Sequence, residues 1–140
     1  MPNLTAVLAD DQPVFRSIVA RLLKPNFELL ASASDGVELM ALIRALHPDV
    51  VISDIRMPNL NGIEAIAQAQ AAGTLDRGQT PRTAVVFLTI HEDQTLVERA
   101  LGTGALGYVL KPRAALDLLP AIAAACKGEK FVSPPLIIPM

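Results

Sequence analysis

Val50-Val51-Ile52-Ser53-Asp54-Ile55-Arg56-Met57-Pro58 decides how this chain is read. Three β-branched residues in a row, bounded by turn chemistry at Pro58, predict a buried strand over Val50–Ser53. A carboxylate at the C-terminal tip of such a strand lies where open parallel sheets place their ligands. Asp54 is therefore the candidate reactive group, set against the plainer reading in which it only opens a turn.

Outward from that strand the same pattern recurs. Leu4–Ala9 is a short apolar run that ends in Asp10-Asp11, and Pro13 opens a helix with Val14, Phe15, Ile18, Val19, Leu22 and Leu23 at helical spacing. One acid would cap that helix; the second needs another reason. Phe27–Ala33 predicts a strand, followed by a helix bearing Leu39, Leu42, Ile43 and Leu46 that stops at His47-Pro48. Beyond Asp54, a helix after Gly62 carries Ile63, Ile66 and Ala67 to about Ala72, and Gly73 to Arg82 reads as an exposed polar connection. Ala84–Leu88 is a fully apolar strand ending on Thr89, and the following helix uses Leu96, Val97, Ala100 and Leu101. Leu106–Leu110 ends on Lys111-Pro112, and a last helix uses Leu116, Leu119, Ile122, Ala123 and Cys126 before Gly128. Five strands alternating with five helices predict an α/β fold, a parallel sheet with helices on both faces.

The chain has 140 residues, enough for one domain with a real core, and 51% of them are hydrophobic. A net charge of -2 and 4% aromatic residues supply neither a basic footprint nor stacking platforms for nucleic acid. No apolar run approaches the roughly 18 residues that span a bilayer, and the first residues carry no basic leader, so no membrane contact is expected and the cytoplasm is the expected compartment. Cys126, alone of its type, reads as a small buried or half-buried hydrophobe.

The polar residues fall at strand tips: Asp10-Asp11, Asp54, Thr89 and Lys111. In a parallel sheet these tips share one edge, so the residues converge on one pocket. Three nearby carboxylates raise one another's pKa and ask for a hard divalent cation with oxygen ligands, for which Mg²⁺ fits best. A carboxylate beside Mg²⁺, faced by a hydroxyl and an ammonium, is equipped to hold a phosphoryl group, with Asp54 as nucleophile.

Asp10-Asp11, Asp54-x-x-Met57-Pro58-x-x-x-Gly62, Leu88-Thr89 and Gly104-Ala105-x-Gly107-Tyr108-x-x-Lys111-Pro112 together resemble the receiver domain of two-component response regulators. The match runs from about Leu4 to Lys127, leaving residues 1-128 as the receiver unit and 129-140 as a tail or linker remnant. The resemblance implies a flavodoxin-like three-layer sandwich with a five-stranded sheet in the order 2-1-3-4-5. It implies phosphotransfer from the phosphohistidine of a sensor histidine kinase to Asp54. It further implies Mg²⁺ held by Asp11, Asp54 and the main-chain carbonyl of Arg56, with Asp10 supporting through water. Thr89 and Tyr108 would form a switch that shifts the surface of the fourth helix, fifth strand and fifth helix, and the Lys111–Pro112 bond would be cis.

Three residues depart from or vary within that pattern: Ile90 stands where a small residue is usual, and Arg56 and His91 flank the pocket mouth. All three are expected to tune the lifetime of the acyl phosphate. The interval from Asp54 to Thr89 is about five residues longer than usual, absorbed by the polar connection at small entropic cost. Gly128-Glu129-Lys130-Phe131-Val132-Ser133-Pro134-Pro135 resembles the exit from receivers that precede a LuxR-type helix-turn-helix domain. DNA would be reached only through such an output domain, which is not expected within these 140 residues, whether the receiver stands alone or is one half of a longer protein. The apolar Leu136-Ile137-Ile138 is expected to pack on its own domain or on a second copy, making a homodimer one expectation. Three alternatives stand beside the phosphoacceptor reading: a haloacid dehalogenase-type phosphatase, which expects an acid where this chain has Arg56; a flavin carrier, which needs a glycine- and hydroxyl-rich loop where this chain has Asp10-Asp11-Gln12-Pro13; and a receiver-like binding module that takes no phosphate.

Overall fold

The computed structural model describes residues 4–76 and 82–139. Strands β1 (Leu4–Ala9), β2 (Phe27–Ala33), β3 (Val50–Ser53), β4 (Ala84–Thr89) and β5 (Gly107–Leu110) alternate with helices α1 (Pro13–Leu23), α2 (Gly36–Leu46), α3 (Gly62–Ala71), α4 (Gln94–Leu101) and α5 (Ala114–Cys126). All strand pairs are parallel. The five strands lie in the predicted order, and a sixth, β6 (Phe131–Val132), extends the sheet beyond β5, giving 2-1-3-4-5-6.

Alternation along the strands divides the core in two. Val7, Val51, Val85, Phe87 and Tyr108 face α2, α3 and α4, while Ala6, Leu8, Ile52, Val86 and Val109 face α1 and α5. Both sheet faces are thus covered, which is why the central strands read as continuous apolar runs. No helix among the described residues is long and apolar enough to cross a membrane.

The structure corrects several details of the sequence-based expectation. The connection after α3 is not wholly exposed: Leu75 is buried at 2%. Burying one leucine contributes roughly 1.5–3 kcal/mol, enough to pull a polar loop inward at that point. Residues 77–81 of this connection lie outside the described residues. On α5 the buried face is Ala114, Asp117, Leu118, Ala121, Ile122 and Ala125, leaving Leu116 exposed. The helix is rotated from the simple leucine stripe because Asp117 is drawn inward by polar partners. The Lys111–Pro112 bond is not the cis one: among the described residues that bond is Pro134–Pro135, and Lys111–Arg113 form a 3-10 turn leading into α5.

One of those partners, Ser133, belongs to the C-terminal segment; the other, Arg113, lies one turn before Asp117. Ser133, fully buried, donates its N–H to Tyr108 O at 2.9 Å, accepts Leu110 N at 3.1 Å, and donates its hydroxyl to Asp117 Oδ2 at 2.7 Å. Arg113 Nε binds the same carboxylate oxygen at 2.6 Å. Farther on, Gln94 exchanges two hydrogen bonds with the main chain of Ile137, at 2.7 and 3.1 Å. Val132 and Leu136 pack on the core, while Ile137 and Ile138 stay exposed. Residues 131–137 therefore strap β5 to α5 and α4.

The Arg113 hydrogen bond holds the Asp117 carboxyl below its ordinary 3.8 against the opposing effect of burial, and Ser133 adds to this. A depressed carboxylate contributes stability that is present above the ordinary value and lost as pH falls through the lower folded value. Acid unfolding of the wild type is therefore expected to include a loss below about pH 3.8 that Asp117→Asn lacks. Ser133→Ala, which leaves Leu110 N and Asp117 short of a partner, is expected to cost about 1–3 kcal/mol in urea unfolding.

Candidate phosphoacceptor site

The C-terminal tips of β1, β3, β4 and β5 deliver the candidate residues to one edge. Asp10 and Asp54 are buried, Asp11 is exposed, and one carboxylate oxygen from each lies within 4.8 Å of the other two. Lys111 is 8% exposed, and its Nζ is 2.9 Å from both Asp10 Oδ2 and Asp54 Oδ2. Backbone groups hold the other oxygens: Gln12 N donates to Asp10 Oδ1 at 2.9 Å, and Ile55 N donates to Asp54 Oδ1 at 2.7 Å.

Burial pushes the Asp54 carboxyl up, with the Asp10 charge adding, while the Lys111 hydrogen bond and charge pull it back. Desolvation, more than carboxylate repulsion, is thus the main perturbation. For Lys111, burial works downward, but its hydrogen bonds and charge attraction to Asp10 and Asp54 outweigh it and hold the ammonium above its ordinary value. The cation stays charged where the pocket needs it.

Thr89 ends β4 fully buried, with its hydroxyl accepting His91 N at 3.3 Å. Tyr108 is also fully enclosed, and its hydroxyl donates to His91 O at 2.6 Å. Burial raises the Tyr108 phenol, with the Asp93 and Asp54 charges adding. One residue, His91, therefore contacts both candidate switch side chains through its main chain. The Arg56 side chain points to solvent, as does that of Ile90.

The loop after Asp54 turns back on itself. Gly62 N donates to Ile55 O at 2.7 Å, and Ser53 Oγ donates to Asp54 O at 2.8 Å. A Cβ on Gly62 would lie 2.0 Å from Asp54 O, so the glycine is required by close backbone approach.

Two contacts were not legible in the strand-tip pattern. Phe15 places its ring 4.4 Å from Lys111 Nζ. In the sequence it belongs to the apolar stripe of α1, and only its place near the start of the helix that follows Asp10-Asp11 hints at the pocket. Ser133 and Asp117 support β5 from its outer side, which no motif announced.

The response regulator receiver domain description matches residues 6–123. This chain belongs to the receiver family. It is 37% identical over 135 residues to the transcriptional regulatory protein DegU of Brevibacillus brevis, covering 94% of this chain and 54% of that protein. It is 33% identical to the probable transcriptional regulatory protein NarL of Mycobacterium tuberculosis, covering 96% and 60%. The receiver thus spans little more than half the length of these relatives. A LuxR-family response regulator from Aurantimonas sp. SI85-9A1 superposes with a TM-score of 0.83 at 30% identity, over 95% of this chain and 91% of that one. The receiver domain of the putative response regulator NarL from M. tuberculosis gives 0.81 at 28%, over 92% and 100%. The receiver is a phosphoacceptor signalling domain, not a typical enzyme; receivers bind a metal at an acidic pocket, and Asp10, Asp11 and Asp54 form an acidic cluster here.

Gly62→Ala is expected to displace the Asp54 carbonyl and destabilise the receiver by at least about 1–3 kcal/mol in chemical unfolding.

Proposed function

We propose that Asp54 of this receiver accepts a phosphoryl group from the phosphohistidine of a sensor histidine kinase, in the cytoplasm. The observation that carries this reading is Lys111 Nζ at 2.9 Å from both Asp54 and Asp10 in a pocket with a third carboxylate. The donor set is all hard oxygen, and one ammonium does not balance three carboxylates, so the residues fit Mg²⁺. Asp11, Asp54 and the Arg56 carbonyl would hold the ion, with Asp10 supporting through water. When bound, the metal neutralises charge on the phosphoryl oxygens.

The chain's own residues do the rest. Ile55 N fixes one Asp54 oxygen and orients the carboxylate. A carboxylate oxygen attacks phosphorus, the P–N bond to the donor imidazole breaks, and the electron pair stays on nitrogen, which takes up a proton. Lys111 neutralises charge on the transferring group, and Thr89 offers a hydroxyl to it. Exposed apolar side chains on α1 and α5 and beside the pocket, Val14 (75%), Leu116 (69%) and Ile90 (67%), follow the same strand tips and offer apolar contact area to the kinase.

Phosphorylation adds charge and acceptor oxygens beside Thr89. Thr89 and Tyr108 both meet His91, so a shift at Thr89 is relayed to the β4–α4 connection and to β5, favouring one packing of the α4, β5 and α5 surface. Residues 1–128 are the receiver unit, and 129–140 are a tail or linker of which residues 131–137 fold back along β5, α5 and α4. Output is transcriptional, through a separate LuxR-type domain or through dimerisation, with DNA not touched by this chain itself.

Incubation with acetyl phosphate and Mg²⁺ is expected to add one phosphoryl mass in intact mass spectrometry, and none in Asp54→Ala; an unmodified wild type, or a gain that persists in the variant, overturns the assignment. Arg56→Asn and Ile90→Ala are each expected to change the rate at which label is lost from the phosphorylated receiver. Unchanged rates in both would remove those residues from any part in acyl-phosphate lifetime.

A further inference from the structure

We infer that Phe15 is a positioning residue for the phosphotransfer, its ring holding the Lys111 ammonium over Asp54; this rests on the assignment of Asp54 as phosphoacceptor. The ammonium carries three N–H groups and is almost fully buried. Two of its directions end on Asp10 Oδ2 and Asp54 Oδ2, at 2.9 Å each. The Phe15 ring, 4.4 Å from Nζ to its centroid, lies within the range of a cation–π contact and offers its negative face to the remaining charge.

The ring is itself held in place. Gln12 N on Asp10 Oδ1 at 2.9 Å, Arg16 Nη1 on Asp10 O at 2.6 Å and Arg16 N on Gln12 O at 3.0 Å tie the first turn of α1 to Asp10. Val19 and Leu23 anchor the rest of the helix in the core, on which Phe15 also packs. One turn of chain therefore sets both Asp10 and the aromatic face that Lys111 meets.

A neutral ring suits this task better than a third anion. Phosphorylation changes the charge and shape of Asp54, so the Lys111–Asp54 pair must be remade when the phosphoryl group arrives. Contact with Phe15 does not depend on the state of Asp54. With the ring on one side and two carboxylates on the others, the ammonium is 8% exposed and has few directions left for water. Leucine at position 15 would fill much of the ring's space without the quadrupole.

The test is the rate of phosphoryl gain from acetyl phosphate with Mg²⁺, read by intact mass at saturating and limiting donor. Phe15→Leu is expected to be about three- to tenfold slower at saturating donor, with the half-saturating donor concentration little changed, and Phe15→Tyr to recover most of the rate. Site-specific replacement by mono-, di- and trifluorinated phenylalanine keeps the shape and weakens the ring quadrupole stepwise. A stepwise fall in rate along that series is expected, and it stands even if the leucine variant does not fold. A flat series in a wild-type background that is phosphorylated overturns the positioning role. A donor-independent readout separates this from the parent assignment: the Lys111 side-chain protons in NMR are expected to carry a ring-current shift that Phe15→Leu abolishes. If that shift is present while neither wild type nor variants take up phosphoryl, the acceptor assignment fails and the contact survives; if the shift is absent, the contact fails.

Discussion

The ammonium of Lys111 between Asp10 and Asp54 is the constraint that the rest of the molecule serves. Two carboxylates buried at neighbouring strand tips would be prohibitive without a counter-charge in contact with both. The counter-charge comes from β5, which lies two strands away from β3 in the sheet. At about 4.8 Å per strand that gap is close to 10 Å, so only a long side chain can close it. The residue at the intervening tip must then be small, and Thr89 is. Residue size at each tip thus follows from strand order.

Keeping that geometry requires rigid supports on both sides of the sheet. The layer of α1 and α5 fixes the tip of β1 and the turn after β5, and through Phe15 it reaches the lysine itself. The opposite layer of α2, α3 and α4 encloses Tyr108 and sets the loop that Gly62 folds back against Asp54. The pocket lies at the seam where both layers end, with Asp11 left on the solvent side as its open face.

Much of this was legible in the chain because strand interiors are apolar and strand ends are not. The limits of β1, β2 and β3 and the convergence of Asp10, Asp11, Asp54 and Lys111 followed from that contrast alone. What escaped depended on contacts between segments distant in sequence. Phe15 looks like any core aromatic until Lys111 is placed above it. Asp117 breaks the apolar stripe of α5, and its inward turn makes sense only once Ser133 and Arg113 are beside it. A strand of two residues, Phe131–Val132, carries too short a pattern to show a period. Leu75 sits among polar neighbours that mask its burial.

That short strand has a consequence for the outer border of the sheet. The carbonyls of Leu106 and Tyr108 and the amide of Leu110 face away from β4 and are met by Phe131 and Ser133. Unmet, they would form an open ladder able to recruit a strand from another molecule. A chain of only two paired residues, locked by one serine hydroxyl, closes that ladder without offering a long new one. The segment beyond α5 thus acts as a selvedge, finishing the woven border so that the fabric neither frays nor stitches itself to its neighbour.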